Sequence, residues 1–505
     1  MSYKQYYNDF KNLPKITNNH IHLLALLPIG KFIKLVKKID NDIYQKINIL
    51  DIEYLDFNFN KYTLTMFDEQ ICGIPYKNLT KKENWIKLSE YKYDIKHFYK
   101  INKKLNRWNE LERICSCIRF FICNYIIYYY YWYQTLYLNY KHNVFYINVR
   151  SKPGNICQEC CFNDRFYISS KLILSCDDFI NEILKITEIT IKKSDYKYLY
   201  TQYKFIKYES DIILFALQQF NNKKTKLEKI NPDELSNMKL NIDHTIFNKI
   251  DIKNPIMFVQ YIMTFPKPSN DIKNINEANN KLYEMVKLYI IIAIIINKQY
   301  GFIFFNGIDF VKNEQETNNN ILYCIIQKFP WINKYGINLI PHIGELNIKK
   351  NLTNIDNTIK LTNYLLKNNI NRFGHGLIIP QSTYLLNYIS NNKKHIYIEF
   401  NPISNQILKY FKIKYNPHKQ LISNKFIKLV ICSDDNGFFN YSTVTTDYLH
   451  LYIKWKLSFE HIKQFIINGI ELINEPYKTY YINLFNALWN NDIKICMPTI
   501  IIRAT

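Results

Sequence analysis

Lys428-Leu-Val-Ile-Cys-Ser-Asp-Asp-Asn-Gly437 is the stretch from which the fold can be read. The largely apolar run Phe426 to Ile431 has the look of a buried strand. It ends on two adjacent carboxylates, Asp434 and Asp435. Such a pair repels unless a cation or a hydrogen-bond donor offsets it. A turn or helix cap usually wants one Asp rather than two.

Working outward, similar runs recur: Val144-Phe-Tyr-Ile-Asn-Val, Phe258-Val-Gln-Tyr-Ile-Met, Gly301-Phe-Ile-Phe-Phe, Ile337-Asn-Leu-Ile-Pro-His and His395-Ile-Tyr-Ile-Glu-Phe. Helical stretches are expected at 276–297, 354–367, 382–390 and 458–474. Strands alternating with helices imply an α/β protein with a parallel sheet, open or closed into a barrel. In either case ligands meet the C-terminal ends of the strands.

Seven of the 11 glycines fall between 301 and 437. In a chain so poor in glycine, these mark backbone where a side chain is not tolerated. Three more short elements stand at strand or turn ends. In His20-Ile-His22, alternate residues of a strand share a face, so both imidazoles can reach one metal. His342-Ile-Gly344-Glu345 adds a third imidazole and a carboxylate able to act as an acid. Arg372-Phe-Gly-His375-Gly puts a histidine on backbone that can approach a ligand closely. Each element alone is a weak signal. Among them, three histidines and an aspartate make a mixed N/O set suited to zinc with a position open for water.

The chain has 505 residues, 48% hydrophobic, with 43 Tyr and 32 Phe. That excludes wholesale disorder, and 11 Gly with 15 Pro exclude a collagen-like or linker-dominated chain. Sixty-six Lys plus Arg against 43 Asp plus Glu give a net charge of +23. The basic stretches, 77–107 and 192–207, are interspersed with carboxylates, which reads as a solvated surface rather than a nucleic-acid interface. The 11 cysteines are scattered. Their one cluster, Cys157-Gln-Glu-Cys160-Cys161, has no second pair at zinc-finger spacing. The apolar stretches 119–138 and 288–297 are too broken or too short to span a bilayer, and no signal peptide is evident at the N-terminus. A cytoplasmic protein without membrane partners is the expectation. Residues 51–104 and 155–254, the latter partly low-complexity, fit the alternation worst and are expected to be insertions in a single domain over 1–505.

The order HxH, HxGE, GHG and SDD resembles the adenosine deaminase family of metal-dependent hydrolases. Pro14-Lys15 stands at the family's PK position, with a spacing to His20 like that of the adenosine deaminase-related growth factor branch. Gly307-Ile-Asp309-Phe-Val is similar to the family's GFDLV, Asn401-Pro-Ile-Ser-Asn-Gln-Ile-Leu408 to its CPISNQVL, and residues 416–440 to its NHP…SSDDPxxFG. The resemblance covers residues 14–38, 105–150 and 255–475. It implies a (β/α)8 TIM-type barrel with inserted segments, in which all four elements share one rim.

It also implies roles. His20, His22, His342 and Asp434 would hold one Zn²⁺ per chain, His375 would orient a water and take its proton, and Glu345 would protonate ring nitrogen N1 of a purine. Asp435 would hydrogen-bond N7, and Gly344 would line the substrate. The implied partner is a small-molecule purine nucleoside, adenosine or a related 6-aminopurine, with a homodimer allowed and no nucleic acid. An activity like that of AMP deaminase, or a weakened barrel kept for binding or signalling, are the alternatives. Three positions depart from the family pattern. Leu24 replaces an acidic residue that contacts ribose, Lys312 replaces a glycine whose N–H meets the purine, and Asn436 replaces a proline.

Overall fold

The computed structural model describes residues 3–32, 125–154, 173–188, 190–225, 244–270, 272–312, 319–345, 352–408 and 415–501, with a few shorter pieces. Eight strands, numbered in chain order, build one ring. They are β1 (Ile16–His22), β2 (Val144–Ser151), β3 (Phe258–Pro266), β4 (Phe305–Val311), β5 (in two pieces, Asn338–Leu339 and His342–Ile343), β6 (Arg372–His375), β7 (Ile396–Phe400) and β8 (Ile427–Ile431). Every neighbouring pair is parallel. Both faces of a parallel barrel strand are covered, so β3 is buried nearly throughout.

The break in β5 has a chemical cause. Pro341 has no N–H to continue the ladder. The first piece pairs with β4 and the second with β6. The step between them is bridged by Ile340 N–H donating to Ile308 O (2.9 Å) and Gly374 N–H donating to Pro341 O (2.9 Å). The ring closes just beyond β8, where Asp434 bridges Ile21 of β1. Asp434 N–H donates to His20 O (2.9 Å) and His22 N–H donates to Asp434 O (3.3 Å).

Helices clothe the outside in the crossovers. Ile275–Tyr300, between β3 and β4, starts on Asn274, whose side chain accepts from Glu277 N–H, and ends on Gly301 at φ +71°. That left-handed cap corrects the expected strand at Gly301: the strand begins at Phe305 instead, because Gly301 terminates a helix. Tyr125–Tyr140 precedes β2 and is buried along most of its length, with Tyr129 and Tyr133 against Phe215 and Phe220 of the helix Tyr196–Lys223. Among the described residues no helix is long and apolar enough to cross a membrane.

Within 51–104 only Tyr54–Asp56 and Trp85–Lys87 are described, and they pair antiparallel. The described part of 155–254 is largely helical, Cys176–Leu184 and Tyr196–Lys223, lying in the chain between β2 and β3. The cysteine cluster at 157–161 and the basic stretch 77–107 lie outside the described residues, apart from Trp85–Lys87.

Candidate metal and active site

At the C-terminal rim four imidazoles converge. The ring centres of His20 and His342 are 4.6 Å apart, those of His342 and His375 are 5.0 Å apart, and those of His20 and His22 are 5.3 Å apart. A bulge in β1 between Asn18 and Ile21 breaks its register against β2. Bulges re-aim side chains, and this one falls at His20. Gly374 leaves the room: a Cβ there would sit 3.2 Å from His20 Cε1 and 3.3 Å from His342 Nδ1.

Each buried imidazole has a fixed partner at Nδ1. His20 Nδ1 lies 3.0 Å from Glu399 Oε2, and His342 Nδ1 lies 2.6 Å from Asp309 Oδ2. His375 Nδ1 lies 2.8 Å from Asn405 Oδ1. On the other side, His20 Nε2 is fully buried and has no hydrogen-bond partner. Asp434 faces the cluster with both oxygens. Oδ1 is 3.4 Å from His20 Nε2 and 3.2 Å from His22 Nε2, and Oδ2 is 3.5 Å from His375 Nε2. His20, His342, His375 and Asp434 place ligand atoms within 4.8 Å of one another, as do His22, Asp434 and Asp435. The orphaned nitrogen and the mixed imidazole–carboxylate donors fit a metal ion. Of the expected ligands, His20, His342 and Asp434 share one group with His375, while His22 falls in the other with Asp434 and Asp435.

Electrostatics separate the carboxylates. Burial would raise Asp434, but the surrounding imidazoles of His375, His20 and His22 hold it well below the usual range. Asp435 goes the other way, pushed up to about 7 by burial and by the neighbouring Asp434 charge. Glu345, also buried, is pushed well above its ordinary value by burial and by the charges of Asp434 and Glu314, with Lys267 opposing. His375 is lowered to about 4, chiefly by burial.

The backbone is held in place around these groups. His375 and Asp434 adopt φ +57° and +56°, left-handed values that cost non-glycine residues about 1–3 kcal/mol and cluster at functional sites. Lys312, at the end of β4, has φ +128°. The position keeps the backbone of a glycine although it carries a lysine. Asn436 closes its turn by donating to Tyr441 O (3.1 Å) and accepting from Ser433 Oγ (3.1 Å). Gly437 is wedged against the loop after β1: a Cβ there would meet Leu27 O at 2.2 Å. Leu24 lies in that loop, half-buried, in a turn clamped by Tyr131, whose hydroxyl donates to Leu23 O (2.7 Å) and accepts from Leu26 N–H (3.0 Å). Gly344 has φ +75° and abuts Ile378 N, where a Cβ would stand 2.6 Å away.

Sequence reasoning assigned no role to Asp309, Glu399, Arg150, Lys267 and Glu314. Asp309 lay inside a matched motif. Arg150, Glu399 and Lys267 are charged residues within or next to β-like runs, a signal that could have flagged them as partners of buried groups.

Eight parallel strands with helices in the crossovers and a histidine–aspartate cluster on the C-terminal rim define an α/β fold of the TIM-barrel type. Solved structures agree. An N6-methyl-AMP deaminase of Arabidopsis thaliana aligns with 95% of this chain and 98% of its own at TM-score 0.52 and 11% identity. An amidohydrolase of Burkholderia ambifaria with bound Zn aligns with 98% of this chain and 96% of its own at TM-score 0.53 and 11% identity. In sequence, adenosine deaminase 2 of Dictyostelium discoideum is 32% identical over 204 residues, 39% of this chain and 35% of the relative. No protein-family model matches. In sequence the chain is similar to adenosine deaminases, and the match spans about a third of that curated relative's length.

Proposed function

We propose that the protein is a zinc-dependent aminohydrolase converting adenosine, or a related 6-aminopurine nucleoside, and water into inosine, or its analogue, and ammonia. The observation that carries this reading is the buried, partnerless Nε2 of His20 facing Asp434 inside a ring of imidazoles. His20, His22, His342 and Asp434 would hold one zinc ion per chain. Bound there, zinc makes water acidic enough to attack at neutral pH.

The chain's own groups do the rest. His375, whose Nε2 lies 3.5 Å from Asp434 Oδ2, would orient the attacking water and accept its proton. Glu345 is buried, and its environment favours the protonated acid, so it can deliver a proton to purine N1 and make C6 electrophilic. Asp435 would hold N7, and the backbone at Gly344 and Lys312 would border the base. Attack at C6 then expels ammonia.

A second reading, a nucleotide such as AMP as substrate, is favoured by Lys312 on the same rim and by the Arabidopsis deaminase of similar fold. One experiment tests both: metal analysis of the purified protein with ammonia release from adenosine, 2′-deoxyadenosine, 5′-methylthioadenosine, AMP and adenine. Stoichiometric zinc with fastest release from a nucleoside is expected. Fastest release from AMP would select the second reading, and no release from any of the five would overturn both.

A further inference from the structure

Beneath the cluster lies a charged layer closed off from water. Arg150, from β2, is fully buried. Its Nε donates to Asp309 Oδ2 (2.8 Å), its Nη2 to Glu399 Oε2 (2.5 Å) and its Nη1 to Asn19 O (3.0 Å). Those two carboxylate oxygens are the same atoms that face His342 Nδ1 and His20 Nδ1. Arg372 completes the layer, donating to Glu399 Oε1 (2.6 Å) and Asn19 O (3.1 Å), and has no bond to Asp309.

A guanidinium only donates. An oxygen that already receives an N–H from Arg150 presents its remaining lone pair to the imidazole, so the ring hydrogen belongs on Nδ1. The free lone pair of each ring then sits on Nε2, the side turned to the cluster. Partners behind a metal-ligating histidine fix its tautomer and ring orientation in this way. Here one side chain serves two such partners at once. Its third bond, to Asn19 O, also fixes the backbone immediately before His20.

We propose that Arg150 is a positioning residue that holds His20 and His342 together in the Nδ1–H tautomer, so that both present Nε2 to a metal ion. Arg372 supports His20 alone. The proposal rests on the zinc reading given above, and its test separates the two.

Two measurements on the full-length protein decide it. The first reads histidine ring-nitrogen NMR shifts of the metal-free wild type, Arg150→Met, Arg150→Lys and Arg372→Met, each histidine assigned through its own substitution. The second measures zinc affinity by competition with a chromophoric chelator. In the wild type both His20 and His342 should carry hydrogen on Nδ1. Arg150→Met should disturb both rings, Arg372→Met only His20. Zinc affinity should fall on the order of 10–100-fold in Arg150→Met. Arg150→Lys, with a point charge in place of a fork, should keep one carboxylate bond and lose less.

An Nε2–H tautomer at His342 in the wild type would overturn the proposal without any variant having to fold. So would Arg150→Met with both Nδ1–H signals intact and zinc affinity within threefold of wild type. A wild type that shows both signals but binds no zinc would support the role of Arg150 and overturn the metal reading alone.

Discussion

His375 Nε2 stands 3.7 Å from Glu345 Oε1, so the group assigned to accept a proton and the group assigned to give one face each other across the site. Glu345 is fixed from behind. Its N–H donates to Glu314 Oε2 (2.7 Å), while Lys267 bonds Glu314 and donates to His342 O (3.0 Å).

Glu345→Gln should keep zinc and nucleoside binding and lose turnover, because an amide has no acid proton for N1. The loss should be about 10²–10⁴-fold or more. Single-turnover rates on zinc-loaded protein check this, and a variant within a few-fold of wild type would remove Glu345 from the mechanism.

Asp434 and Asp435 are adjacent in the chain but face different groups. Asp434 meets three imidazoles, whereas Asp435 lies in a group with His22 and Asp434. Asp434→Asn should therefore lose metal and activity together, as should His20→Ala and His342→Ala. Asp435→Asn should weaken catalysis with zinc retained. Metal content measured beside activity decides, and identical behaviour of the two aspartate variants would contradict the division.

By the family resemblance Leu24 would replace a ribose-binding carboxylate and offer the 5′ side of the nucleoside an apolar wall instead. A hydrogen bond to a charged acceptor contributes about 1.5–3 kcal/mol. Reduced efficiency on adenosine is expected, with 5′-deoxy and 5′-methylthio analogues relatively well accepted. Leu24→Asp should shift preference back towards adenosine. If wild type already prefers adenosine strongly and the substitution only harms it, another group reads the 5′ side.

His142 gives a pH-dependent contribution away from the site. It is buried against Thr445 Oγ1 (3.0 Å) and lowered to about 3 by burial and by the charges of Lys15, Lys11 and Lys31. Its folded value lies below the unfolded one of roughly 6.5, so on acidification the unfolded chain takes up the proton first. Stability is full above pH about 6.5 and declines as pH falls towards about 3, with a loss of about 2 kcal/mol by pH about 5. Urea midpoints at the two pH values should converge in His142→Gln. An unchanged pH slope would mean that other groups carry it.

Much of the candidate site could be read from the chain because its motifs fall at or beside strand ends, where motif and strand end coincide. The alternation of elements likewise foretold a parallel sheet, and the helix at 354–367 was displaced by only two residues at its start. β4 was placed too early. Asn306 and Asp309 are buried and bond other buried polar groups, Gln260 and His342 among them, so the apolar run stops at Phe305, where the strand begins. The layer behind the histidines was illegible for a related reason. Arg150, Asp309, Arg372 and Glu399 come from four strands, and no local pattern records that they meet.

The seam between β8 and β1 is stitched by the backbone of His20, His22 and Asp434, with Asn18 Nδ2 donating to Ser433 Oγ (2.7 Å) across 415 positions of chain. On the zinc reading, ligands on both edges of one seam would make the ion a rivet between the first stave of the barrel and the last. Chelation should then act on the closure itself: amide hydrogen exchange at His22 and Asp434 should quicken while β3 and β4, on the far side, keep their protection. Removing the metal would unlatch the barrel at one joint rather than soften it all round.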